Sequence, residues 1–373
     1  MFLNKLFFIL MCNTLIFTLK AQVRSSFSVE TNMHFGNIIR HTPKLTLLPS
    51  GRAIGEELHL NWQLKGQQPW HEWQRFPSVG LSLLYLDLGE PRTLGAAIGL
   101  FPTVDLKILR SRPLSILVQV GTGIAYLTRH YDQVDNPTNN GIGSALNCMA
   151  HLKLKLETPL SSRLKLQIGG SFTHFSNGAA HLPNFGINVP ALDISLRYHV
   201  SSDTEGVFIR HFLSKKATKK YGLTVQAGMA LSETGVPRGP QYPIYGTSLS
   251  VYRNISRINR LHLGVSYEQN RVVAEYGLHA AEFKTQQEAW KGGERVMGFV
   301  EEEFLFGNVG LLLQTGVYSK KYKSVRSNWY NKLGVRVYMP PIGRPKTQLF
   351  VGFYLKAHLA TAEYLAFVGG ATF

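Results

Sequence analysis

Apolar and polar residues alternate along this chain with a period of two, and that pattern leaves few folds open. In Leu192, Ile194, Leu196, Tyr198 and Val200 the apolar phase alternates with Asp193, Ser195, Arg197 and His199. Successive side chains of an extended strand point to opposite faces, so such a segment has one apolar and one polar face. Tyr221, Leu223, Val225, Ala227, Met229 and Leu231 repeat it against Gly222, Thr224, Gln226, Gly228 and Ala230, and Leu261, Leu263, Val265 and Tyr267 repeat it again. Further segments lie near 57–66, 78–88, 93–104, 114–127, 143–157, 163–176, 243–254, 294–305, 308–318, 329–339, 346–358 and 362–373, with a weaker one near 28–37. That gives about fifteen or sixteen strands of roughly 9–13 residues, where a tilted strand needs about 9–11 to cross a bilayer. Soluble sandwiches use strands of about 5–6 residues. The pattern predicts an all-β fold, a single transmembrane antiparallel β-barrel of about 14–16 strands. One barrel is expected rather than two, because eight added strands would need their own closure.

Mean hydropathy near zero is compatible with this, since lipid-facing and lumen-facing residues average out. Met1 to Lys5 form a basic start and Leu6 to Leu19 an apolar stretch, with Ala21 at a plausible cleavage site. This reads as a signal peptide, residues 1–21, too short for a transmembrane helix. Of the two cysteines Cys12 lies inside that stretch, so Cys148 is left without a disulfide partner. The expected division is 22–200 as the first half of the barrel and 201–373 as the second, ending in Phe373. Short links such as Thr158 to Ser161 and Gly307-Asn308 read as turns at one rim. Longer ones near 128–142, 177–190, 232–242, 270–293 and 319–328 read as loops at the other, with a short helix expected in 270–293. Forty Lys and Arg against 23 Asp and Glu give a net charge of +17, which calls for an anionic partner. Export leaves a phosphate-bearing membrane surface and sets nucleic acid aside.

The stretch that carries chemistry is Ser171-Phe-Thr-His174-Phe-Ser176-Asn-Gly178-Ala-Ala-His181-Leu-Pro183-Asn184-Phe-Gly186-Ile-Asn188. Leu164, Leu166, Ile168, Gly170, Phe172, His174 and Ser176 share the apolar phase of one strand, so the last two should face outward near a rim. Polar groups at a lipid face are costly and ask for a reason. A His and a Ser two residues apart on one face sit about 6–7 Å apart at their α-carbons, within reach of a base-activated hydroxyl. Asn177, Gly178 and Ala179 follow at the strand end, where a glycine lets backbone N–H groups turn toward an oxyanion. The bland reading of His-x-Ser alone is an interfacial pair hydrogen-bonded to water or headgroups.

The extended motif, His-x-Ser-Asn-Gly followed by Pro-Asn-x-Gly-Ile, resembles the lipid A 3-O-deacylase (acyloxyacyl hydrolase) family of outer-membrane barrels. The resemblance spans roughly residues 55–200. It implies that His174 is the general base and Ser176 the nucleophile. The family carries a Glu fourteen residues after its His, where this chain has Asn188. A neutral amide can orient an imidazole but stabilises imidazolium less than a carboxylate. His-x-Ser-Asn-Gly with a following Asn is also similar to outer-membrane phospholipase A, although that family has an Arg where Ala179 stands and binds calcium nearby.

Other signals carry less. No His-x-x-x-His spacing occurs, so no metal site is expected. His181 reads as an exposed loop residue, and Asp132, Asp135, Asn136, Asn139 and Asn140 as loop structure. Trp62, Trp70, Trp73 and Trp329 read as interfacial belt residues, and Lys215, Lys216, Lys219 and Lys220 as a solvated basic run. The expectation is an outer-membrane serine esterase using Ser176, His174 and Asn188, with Asn177, Gly178 and Ala179 as oxyanion donors. Lipid A, the anchor of lipopolysaccharide, is its substrate, and no cofactor is needed. A homodimer is among the states this reading admits. The alternatives are a phospholipase A and a non-catalytic pore or structural barrel whose motif has decayed.

Overall fold

The polar phase of each alternating segment must be buried against something, and how the strands close decides against what. In the computed structural model, which describes residues 26–46, 51–111, 113–200, 208–209, 220–319, 327–342, 347–358 and 361–373, they close twice. The first barrel comprises β1 (Ser26–Gly36), β2 (Ala53–Gln63), β3 (Ser78–Asp87), β4 (Ala96–Arg110), β5 (Ser115–Leu127), β6 (Leu146–Pro159), β7 (Leu164–Ser176) and β8 (Ile187–His199). The second comprises β9 (Tyr221–Glu233), β10 (Gln241–Asn254), β11 (Asn259–Asn270), β12 (Glu294–Phe306), β13 (Val309–Tyr318), β14 (Trp329–Tyr338), β15 (Gln348–His358) and β16 (Thr361–Thr372). Every neighbouring pair is antiparallel. The signal segment and the basic residues Lys215, Lys216 and Lys219 lie outside the described residues.

The expected single barrel is therefore corrected to two barrels of eight strands each. β1, the weaker candidate in the sequence, is the strand that closes the first barrel, running from Ser28↔His199 to Gly36↔Ala191 against β8. The second closes between β9 and β16, from Thr224↔Thr372 to Ala230↔Ala366. Alternation says which face of a strand points out. It does not say which strand takes its edge hydrogen bonds, so it could not separate one large closure from two small ones.

The size of the closure sets what the polar phase does. Eight strands enclose a space that side chains fill, whereas about sixteen leave an aqueous channel. The first lumen is packed with charges that pair. Arg197 donates to Glu30 at 2.7 Å, Asp105 at 2.9 Å and Glu157 at 3.1 Å, while Lys153 meets Glu57 at 2.8 Å. In the second, Arg336 meets Glu301 at 2.7 Å, Lys356 meets Glu268 at 2.7 Å, and Tyr364 donates its hydroxyl to Glu268 at 2.6 Å. These pairs satisfy groups that would otherwise be buried at a cost of several kcal/mol each. Side chains buried in pairs, rather than facing open water, line both lumens at these positions. The outward phase is apolar and exposed, as at Ile168, Phe172, Leu192 and Ile194 in the first barrel and Val251, Leu263 and Leu333 in the second.

Both barrels run in the same sense, so Ser176 and the ends of β9, β11, β13 and β15 share one rim, called the upper rim below. Helices α2 (Arg271–His279) and α3 (Gln286–Gly293) bridge β11 and β12 there, two helices where one was expected. At the opposite rim α1 (Pro69–Trp73) joins β2 to β3 and touches the second barrel. Gln74 donates to the Leu305 carbonyl at 2.8 Å, and Arg257 lies over the Trp73 ring at 5.5 Å. Trp70 and Trp73 thus lie in an inter-barrel contact at this rim.

Candidate active site

The site forms where β7 runs out of partners. Ser176 is still paired to β6 through Cys148, but pairing to β8 ends at Phe175↔Ile187. One step earlier His174 sits directly across from Asn188. That register puts the two side chains on the same outward face, and the His174 Nδ1 donates to Asn188 Oδ1 at 2.5 Å. A ring whose Nδ1–H is engaged keeps its lone pair on Nε2, the tautomer a base requires. Gly186, at φ +80°, lets the returning loop pass the ring closely: a Cβ there would lie 2.8 Å from His174 Cε1.

Ser176 is 3% exposed, and its Oγ accepts from Asn184 Nδ2 at 2.9 Å and from the Gly178 N–H at 3.1 Å. No hydrogen bond joins it to His174 among the described residues. The structure therefore brings His174 and Asn188 together, and leaves Ser176 beside them on the same face with its hydroxyl held by Asn184. Asn184 was given no role from the sequence. Its spacing from Ser176 has no regular-structure meaning, because the intervening residues form a turn. The Asn184 Oδ1 accepts the Asn177 N–H at 3.0 Å, which orients the amide so that its NH2 faces the serine.

The three expected oxyanion donors stand differently. The Asn177 N–H is committed to Asn184, and the Gly178 N–H points at the serine oxygen itself. Ala179 N–H makes no hydrogen bond among the described residues. Gly178 and Ala179 have successive positive φ values of 64° and 59°, and the Gly178 N–H faces the serine across this turn. Asn177 stitches the turn from within, donating its Nδ2 to Ser144 Oγ and to the His181 carbonyl, both at 2.9 Å.

Two residues dismissed on sequence grounds acquire partners. The His181 Nδ1 lies 2.8 Å from Glu233 Oε1 at the end of β9. Asp132 accepts the N–H groups of Val134 and Asp135, which hold its carboxyl below the usual range, and it also receives Arg238 from the second barrel. Cys148 is free, and no group of three or more His, Cys, Asp or Glu side chains is arranged to hold a metal among the described residues.

Residues 56–197 match the family described as lipid A 3-O-deacylase (PagL), and residues 219–373 match that described as acyloxyacyl hydrolase, C-terminal domain. A comparison with curated proteins finds no match. Among solved structures the chain is similar to the outer membrane enzyme PagL at 15% identity and a TM-score of 0.30, covering 44% of this chain and 97% of that one. It is also similar to Neisserial surface protein A at 6% identity and a TM-score of 0.33, covering 46% and 96%. The two family matches fall one on each barrel and part where the barrels part. The chain belongs to the lipid A 3-O-deacylase and acyloxyacyl hydrolase family of β-barrel proteins.

Proposed function

We propose that this protein is an outer-membrane serine esterase that removes one ester-linked acyl chain from lipid A. The observation that carries the reading is the His174–Asn188 hydrogen bond at 2.5 Å, on the outward apolar face of β7 and β8 and one strand step from Ser176. An ester presented by a membrane lipid would approach from this face toward Ser176, which is itself 3% exposed. Exposed Phe172, Leu146 and Leu192 around it offer the acyl chain an apolar surface.

The chemistry runs in two halves. A change of rotamer turns Ser176 Oγ from Asn184 toward His174 Nε2, a contact that closes only when substrate is seated. Oγ attacks the ester carbonyl and its proton passes to Nε2. The imidazolium is held by Asn188 and then protonates the departing sugar oxygen, leaving an acyl-Ser176. Water, deprotonated by the same nitrogen, attacks the acyl carbon, and the serine recovers its proton. The negative charge on the tetrahedral oxygen falls near the Gly178 N–H and the Asn184 NH2, which the departing Ser176 Oγ frees, with the Ala179 N–H next to them on the turn.

The test is mass spectrometry of lipid A incubated with the full chain and with Ser176→Ala, each shown to be folded by heat-modifiable mobility. Loss of one acyl chain with wild type alone supports the reading. Identical spectra from both would refute it.

A further inference from the structure

Resting on the deacylase reading above, we infer that the second barrel is part of the active site, and that its Glu233 is the positioning residue for the loop that supplies the oxyanion donors. Four consecutive residues of that loop are held by the second barrel. Ser232 Oγ donates to the Ala179 carbonyl at 2.8 Å, and the Glu233 N–H reaches the same oxygen at 3.4 Å. Gln241 Nε2 donates to the Ala180 carbonyl at 2.6 Å. The Glu233 carboxylate takes His181 Nδ1 on one oxygen and the Leu182 N–H on the other, both at 2.8 Å. β16 closes the contact from a second side, since a Cβ on Gly178 would lie 2.6 Å from Leu365 Cβ.

The electrostatics make this more than proximity. The Glu233 side chain is 3% exposed, and among the described residues its ion-pair partner is His181 alone, with no Lys or Arg. A buried carboxylate without hydrogen-bond donors is strongly disfavoured. Its donors here come from the loop, so docking the loop and satisfying the carboxylate are one event. Among the described residues the first barrel reaches the same turn at its two flanks, through Asn177 Nδ2 on Ser144 Oγ at one end and through His41 on the Phe185 carbonyl and the Gly186 N–H on the Gly141 carbonyl at the other. Residues 179–182 are braced by Asn177 from within and by the second barrel from without, and their conformation includes the positive φ of Ala179. Packing of the second barrel against the first is thereby coupled to the turn that carries the oxyanion donors.

The experiment uses the full chain in vesicles containing lipid A, with wild type, Glu233→Gln, Glu233→Ala, Ser232→Ala and the Ser176→Ala control. Kinetics of fatty-acid release and amide hydrogen exchange are measured on each. Donors that act on the developing oxyanion change kcat and leave KM in place. Glu233→Ala should lower kcat by about tenfold or more with KM little changed, and Glu233→Gln, which keeps one acceptor, should recover part of it. Exchange at the Leu182 amide should quicken in Glu233→Ala and stay slow in Ser176→Ala. A Glu233→Ala chain with wild-type or raised kcat, or with an unchanged Leu182 amide, overturns the inference. Wild type that releases no fatty acid, with Leu182 exchange still dependent on Glu233, would instead count against the deacylase reading and leave the latch standing.

Discussion

Replacing Asn188 by alanine isolates the chemistry from the fold. Asn188 is the ladder partner of His174, and alanine keeps the backbone hydrogen bonds of that pair. What goes is the Oδ1 acceptor, 2.5 Å from His174 Nδ1 on a side chain only 8% exposed, so water has poor access to replace it. In the ground state this is a neutral hydrogen bond. In the transition state the ring is an imidazolium, and a hydrogen bond to a charged group contributes about 1.5–3 kcal/mol. At 1.36 kcal/mol per tenfold, kcat/KM should fall by about 10- to 150-fold. The fall should sit in kcat, because the interaction strengthens only as the proton arrives. Asn188→Asp puts a carboxylate in the same place and should match or exceed wild type near neutral pH. The assay is initial-rate release of fatty acid from lipid A, with folding checked by heat-modifiable mobility. A folded Asn188→Ala chain within twofold of wild type, alongside an inactive Ser176→Ala, would show that Asn188 does not orient the base.

Asn184→Ala removes the NH2 that faces Ser176 and frees the Asn177 N–H. Loss of one oxyanion donor should lower kcat by about 10²–10³-fold, read in the same assay. Gly178→Ala meets two obstacles, a φ of +64° and a Cβ 2.6 Å from Leu365 Cβ. It should lose activity, and the second substitution Leu365→Ala should recover only part of it, since the left-handed backbone still costs about 1–2 kcal/mol. Arg197→Ala leaves Glu30, Asp105 and Glu157 short of a shared cation in the first lumen. Breaking such a buried network should cost about 3–5 kcal/mol in urea unfolding followed by tryptophan fluorescence, while the second barrel's transition stays in place.

Much of the site was readable because it lies within one strand and its return. His174 and Ser176 are two residues apart on β7, so their shared face follows from strand geometry alone. Asn188 came from the family spacing, and the register then placed it across from His174. Asn184 was hidden by the turn between them, whose geometry depends on Asn177 side-chain bonds and on two positive φ values. Glu233 was out of reach altogether: it lies 51 residues from Leu182 in the chain and meets it through the packing of one barrel against another.

The sequence by itself determined the strands, their inward and outward phases, and the outward placement of His174 and Ser176, because side-chain alternation is a local consequence of extended backbone. Only the tertiary structure decided how many barrels there are. Closure is a matter of which strand edges find each other, and β1 pairs with β8 across more than 150 residues with no local signal to say so. Two small closures rather than one large one then decided the rest. They turned the polar phase from channel lining into paired core, and they set a second rim beside the first, where Glu233 holds the loop that a single barrel would have left on its own.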